Sequence, residues 1–400
     1  MIERINVNTD LINLDILRLA IEKTGLKLTE VAKRINISEK KLRNILEKKE
    51  KYITYKQLHK ISQVLRIPYG YLFLKNLPQE QSIDIPDLRN LKDYKPLSDA
   101  FFEIYFDIKR KQEWLKQKRI KNEFPELDFV GKFSVNDSPI QIAKDINERL
   151  NIKESDFSKT DERTLLNFIN KAEQVGILVF KNSVLINNTH VKLDPTEFRG
   201  FAIADKYAPT IFINGADNIK AQIFTLFHEL AHIWIDRSGI SDVDFDNENK
   251  IEKLCNSVAV EILMPEERII KNWNKNLKPI ENIKNISKKY GISILALSYR
   301  ALNLNLITKD IQENIKKEIK LNELNENTKK ETGGDYYKTF IIRNSRTFTK
   351  EVINSLISGE ILYKEAVKLL NIQNLRTLHK LIKEAEIYEV LHWYKLFNWS

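Results

Sequence analysis

The 400-residue sequence is poor in cysteine: Cys255 stands alone, so no internal disulfide framework can form. A lone thiol fits a reducing compartment. A secretion signal is missing too, because Met1 to Asp10 carries no apolar core. Long hydrophobic runs are also lacking. The longest, around Phe224 to Ile235, is broken by Thr225, His228, Glu229 and His232, and is too short and too polar to span a bilayer. Neither a repeat of fixed period nor a low-complexity segment is evident. The expectation is a cytoplasmic chain with no membrane partner.

What is present suits ordinary globular cores: 42% hydrophobic and 30% charged residues over a length typical of two or three domains. The net charge of +10 suits a polyanionic partner, and equally suits a background rich in lysine and asparagine. Short helices are predicted first: Leu14 to Lys23, Thr29 to Ile35 with Thr29 as cap, Glu39 to Lys49 capped by Ser38, and one capped by Thr54. Three of the ten prolines (Pro78, Pro86, Pro96) mark a linker or extended arm. Helices follow at 97–119, 136–150 and 163–175, then strands near 177–180, 200–204 and 210–214, then long helices at 218–237 and 248–263. The rest reads as helical, with a flexible break near Gly333 and Gly334. The predicted class is α+β.

The sharpest pattern is Phe227-His228-Glu229-Leu230-Ala231-His232. Residues four apart share a helix face, so His228 and His232 can offer two imidazole nitrogens to one Zn²⁺. Glu229 stands on the adjoining edge, placed to take a proton from a metal-activated water. The flanks are apolar nearly all round, which marks a buried helix whose polar groups need partners. A catalytic zinc wants a third protein ligand. Glu252 opens the next helix at the edge of its apolar stripe, with Asn256 one turn on and able to orient the Glu252 carboxylate. By spacing alone, Glu248, Glu261, Asp242, Asp244 and Asp246 compete with it. Cys255 reads as a small core residue.

These residues resemble a known family. Phe224 to His232, then Glu252-x-x-Cys-Asn-x-Val-Ala259, then Ile262-Leu-Met-Pro265 are similar to ImmA/IrrE metallopeptidases. In that family the second helix carries a glutamate ligand in the pattern Glu-x-x-Ala-Asn-x-Phe-Ala, which Glu252 matches. Cys255 and Val258 depart from it only in packing residues. The resemblance thus implies Glu252 as the third zinc ligand. Arg199-Gly200-Phe201 and Ile211 to Asn214 resemble the family's strands before the zinc helix.

The segment Ile16 to Leu74 resembles an XRE-type (Cro-like) helix-turn-helix. There Thr29 to Ile35 braces and Glu39 to Lys49 reads the major groove, with Ser38, Lys40, Lys41, Arg43 and Asn44 as candidate DNA contacts. Asn36 takes the turn, since asparagine tolerates the left-handed conformation. Ile85-Pro-Asp-Leu-Arg89, Gln112-Glu-Trp-Leu115 and Gly333-Gly-Asp-Tyr-Tyr337 resemble a subgroup carrying both domains. That subgroup is often paired with a PIN-type ribonuclease toxin. Residues 363–385 resemble a second helix-turn-helix, better read as a structural or partner-binding hairpin, and Trp393, Tyr394, Phe397 and Trp399 as core or interface. The expected layout is 1–77 DNA-binding, 78–160 linker and helices, 161–275 metallopeptidase, 276–330 helical extension and 331–400 helical C-terminal region. The expected function is a regulator that binds operator DNA and cleaves a specific protein, a repressor or itself, and a homodimer is compatible with it. The rival expectation is an antitoxin-like regulator that binds DNA and a partner toxin with little proteolysis.

Overall fold

A computed structural model describes residues 6–23, 28–65, 69–74, 85–89, 97–157, 162–241, 249–323, 336–372, 376–378 and 380. The chain divides into two units, residues 1–84 and 85–400. The first holds β1 (Asn6–Asn8), α1 (Leu14–Lys23), α2 (Leu28–Ile35), α3 (Glu39–Leu46), β2 (Tyr52–Thr54) and α4 (Tyr55–Val64). Its core joins Leu17 of α1, Val31 and Ala32 of α2, Leu42 and Ile45 of α3, and Leu58 and Ile61 of α4. Asn36 turns the chain between α2 and α3 at φ 64°. The Ser38 hydroxyl then accepts from the Lys41 amide at 3.2 Å and caps α3. A reciprocal capping box joins Thr54 and Gln57 at the start of α4. Thr29 lies inside α2 instead of capping it, because the helix already includes Leu28. The β1–β2 ladder pairs Val7 with Ile53. Its strands are three residues long, too short for alternation to announce them.

The second unit opens with α5 (Asp99–Lys121), α6 (Pro139–Arg149) and α7 (Glu162–Gln174). Strands β3 (Leu178–Asn182), β4 (Val184–Leu185), β5 (Asn188–Lys192), β6 (Gly200–Ile203) and β7 (Thr210–Asn214) lead to α8 (Ile219–Trp234). Then come β8 (Gly239–Ser241), α9 (Lys250–Leu263), α10 (Glu266–Asn272), α11 (Pro279–Tyr290), α12 (Ile294–Asn303), α13 (Lys309–Glu323), α14 (Tyr336–Arg343), α15 (Arg346–Ile357) and α16 (Tyr363–Leu369). The main sheet runs β3-β7-β6-β8, with β3 parallel to β7 and the other pairs antiparallel.

Helices cover both faces of this sheet. On one, α5 packs Phe101 edge-on against Phe198 at 4.8 Å and Tyr105 against Phe201 at 5.6 Å. On the other lies α8, whose residues Gln222 to Trp234 are all buried. Trp234 stacks on Phe129 at 4.5 Å. Each such fully buried aromatic stabilises the fold by about 1.5–3 kcal/mol. The same core continues through α6, α7, α9, α11 and α12.

Helices α14 to α16 are tied into this unit by buried polar groups. Lys111 of α5 is buried and pairs with Asp107 at 2.7 Å and with Asn344 Oδ1 at 2.9 Å. Glu173 of α7 accepts from the Ser345 hydroxyl and, at 3.1 Å, from the Arg346 amide. From the proline-marked arm, Ile85–Arg89 is described, and it is ordered against the edge of the sheet. No described helix is long and apolar enough to cross a membrane. The break near Gly333, the end of the second helix-turn-helix pattern and the aromatics at 393–399 lie outside the described residues.

Candidate metal centre

Asn218 starts α8 by accepting from the Ala221 amide at 3.0 Å. From that start, helical spacing brings His228 and His232 to one side, facing α9, and Glu229 toward the sheet. The side chains of His228, Glu229, His232 and Glu252 are all 0% exposed. The two Nε2 atoms lie 3.1 Å apart. Glu252 closes the triangle: Oε2 is 3.2 Å from His228 Nε2 and Oε1 is 3.1 Å from His232 Nε2.

The outer ring nitrogens are engaged elsewhere. His228 Nδ1 lies 2.9 Å from Asn256 Oδ1, and His232 Nδ1 lies 2.9 Å from the Arg237 carbonyl. Both acceptors take a proton from Nδ1, which turns each Nε2 toward the cluster. Two ring nitrogens and a carboxylate thus converge in a buried cluster, an arrangement that a cation would satisfy. Zinc ligands at about 2.0–2.2 Å in tetrahedral geometry sit roughly 3.3 Å apart, close to the spacing seen here. Among the described residues, these three side chains form the group able to hold a metal ion. Burial by itself would push the Glu252 carboxyl up, yet the facing imidazoles hold it down at about 2.

Glu229 stands beside the triangle with both oxygens buried and the Ser241 hydroxyl as its neighbour. Burial pushes its carboxyl up to about 7, against the opposing pull of His232 and His228. Its place beside the sheet depends on Gly200: a Cβ there would come within 2.7 Å of Thr225 Cγ2, 2.8 Å of the Phe212 carbonyl and 3.0 Å of Glu229 Oε1. Ser241 of β8 brings its hydroxyl to 3.4 Å from His232 Nε2.

Of the acids that compete with Glu252 by spacing, Glu261 is engaged by Arg300 at 2.8 Å. Asp242, Asp244, Asp246 and Glu248 lie outside the described residues. Cys255 is a buried free thiol. Sequence reasoning missed Ser241 and the Arg237 carbonyl, and placed Gly200 on a strand without giving it a role at the centre. A three-residue strand gives no periodic signal, and a backbone acceptor has no residue identity to read.

The candidate DNA contacts sit on or beside α3. Lys40 and Arg43 are exposed, and Arg43 pairs with Glu39 at 2.8 Å. Lys41 leans back toward Gln57 Oε1 at 3.4 Å and Glu50 at 3.9 Å. Asn44 is half-buried, and its carbonyl accepts from the Lys49 amide at 2.8 Å. Ser38 is occupied as the cap of α3.

Comparison with protein families agrees with the geometry. Residues 172–302 match the IrrE N-terminal-like domain, a peptidase family. That stretch contains α8, α9 and all four residues of the cluster. Residues 344–384 match a domain of unknown function. No curated protein matches the chain.

Proposed function

We propose that this chain is a zinc-dependent endopeptidase that cleaves a specific protein, joined to an N-terminal unit that binds operator DNA. The observation that carries the peptidase reading is the buried triangle of His228, His232 and Glu252, with the Glu229 carboxyl at its side. Two imidazoles and one carboxylate are a catalytic zinc set, with a position left open. A bound Zn²⁺ supplies Lewis acidity toward a peptide carbonyl and acidifies water to a pKa of about 7.

The protein's own groups do the rest. Asn256 and the Arg237 carbonyl fix both imidazole rings in the tautomer that presents Nε2. Glu229 takes the proton of the attacking water and returns it to the leaving amine. A structural zinc site would have no use for a buried carboxyl there. Purified wild type and Glu229→Gln are expected to carry equal zinc by elemental analysis. Only the wild type is expected to cleave the products of genes co-expressed from the same locus, read by mass spectrometry. Equal behaviour of the two, with zinc present, would refute the peptidase reading.

The complete burial of the cluster favours a second reading: an antitoxin-like regulator that binds DNA and a PIN-type toxin, with its zinc site silent. In that case Glu229→Gln leaves repression and toxin binding unchanged.

A further inference from the structure

Ile85–Arg89 lies along the free side of β8. The Leu88 amide donates to the Ile240 carbonyl at 3.1 Å and the Ile240 amide donates to the Pro86 carbonyl at 3.0 Å. Asp87 is thereby set opposite Ile240 in parallel register. The backbone groups that an edge strand offers to another chain are therefore taken by this chain itself. Arg89 fastens the segment: it pairs with Asp87 at 2.6 Å, donates to the Glu197 carbonyl at 2.9 Å, and is 7% exposed.

This edge belongs to the metal centre. Gly200 faces α8 and Glu229, and Ser241 is its cross-strand partner on β8, so both share one face. Gly239, two residues before Ser241, faces the same way. Leu88 fills the place of the side chain Gly239 lacks, since a Cβ on Gly239 would come within 2.3 Å of Leu88 Cδ1. Alternate side chains of a peptide laid along β8 would project to the face that carries His232 and Glu229. Instead the place is held, and the four residues of the centre are 0% exposed.

We propose that the outer edge of β8 is the strand on which an extended peptide substrate docks, with a leucine-like side chain over Gly239. Ile85–Arg89 holds this place as an internal occupant until it is displaced. The inference rests on the metallopeptidase reading and deepens it by naming the docking strand and the apolar residue it selects. A tethered copy competes at an effective concentration on the order of millimolar, so micromolar peptide cannot enter the wild type.

The test uses the full zinc-loaded chain and a fluorescent peptide with the sequence of residues 82–90. Leu88→Pro removes both the amide donated to Ile240 and the side chain over Gly239. It is expected to bind the peptide, by anisotropy, about tenfold more tightly than wild type or better. Adding Gly239→Val should abolish that binding by filling the Leu88 place. Leu88→Ala keeps every backbone donor and guards against a folding failure. It should bind more weakly than Leu88→Pro but lose zinc to a chromophoric chelator faster than wild type. Peptide binding no stronger in either Leu88 variant than in wild type, or binding that survives Gly239→Val, overturns the proposal. A wild type that binds no zinc overturns the metallopeptidase reading itself, and with it the substrate role of this edge, whatever the peptide does.

Discussion

Each imidazole of the centre is held by one hydrogen bond on the side away from the cluster, and the two bonds differ in kind. His232 leans on a backbone carbonyl, which no substitution removes, whereas His228 leans on the side chain of Asn256. Asn256→Ala should therefore free His228 alone. Removal of such an outer partner costs about 10- to 100-fold in metal affinity, and competition with a chromophoric chelator reads it. Gly200 acts by absence. An alanine methyl would meet the Phe212 carbonyl at 2.8 Å and Thr225 at 2.7 Å, and neither strand nor buried helix has room to give. Gly200→Ala should destabilise the second unit by about 1–3 kcal/mol, seen as a lower melting temperature. A melting temperature equal to wild type would mean that α8 does not lie against β6 as described.

Helix α8 was legible because its chemistry and its burial are written in one local stretch. His228 and His232 repeat at helical spacing amid apolar residues, and one helix delivers both. Glu252 was only half legible: spacing left several acids open, and the family resemblance chose among them. What escaped are pairings distant in sequence. Pro86 reads as a linker residue, yet its carbonyl accepts from Ile240, and nothing local announces a partner so far along the chain. Strands β1, β2 and β8 are each three residues, below the length at which alternation can be seen. The anchoring of α15 was equally hidden. Burial lifts the Glu173 carboxyl to about 7, against the opposing hydrogen bond from Ser345. A folded-state value above the ordinary 4.5 means the protonated form is the one the fold prefers. The stabilisation is complete below about pH 4.5 and is lost as pH rises through 7, by about 3 kcal/mol in all. Urea midpoints of the wild type should fall between pH 5 and 8. Glu173→Gln, whose amide oxygen can still accept from Ser345 and Arg346, should flatten that fall.

At the scale of the molecule, two units with separate cores share one chain, and the proposed DNA role belongs to the first. On its proposed reading helix, α3, Arg43 is paired with Glu39 and Lys41 leans toward Gln57 and Glu50, while Lys40 is exposed. Exposed pairs of this kind contribute only about 0–1 kcal/mol, so phosphates can displace the acids. If the first unit binds DNA, the acids tune its affinity, because each paired cation must exchange partners before it meets a phosphate. On the proposed reading, Lys40→Ala and Arg43→Ala should each weaken operator binding and lower the slope of log affinity against log salt by about 0.9. Glu39→Gln, by releasing Arg43, should strengthen binding most at low salt, where the competing pair is strongest. Fluorescence anisotropy over a salt series separates these outcomes. Unchanged slopes in both cation variants would remove α3 from the phosphate backbone and leave the first unit as a protein-contact module. The same series run on Glu229→Gln should superimpose on wild type, because that carboxylate is buried in the core of the other unit.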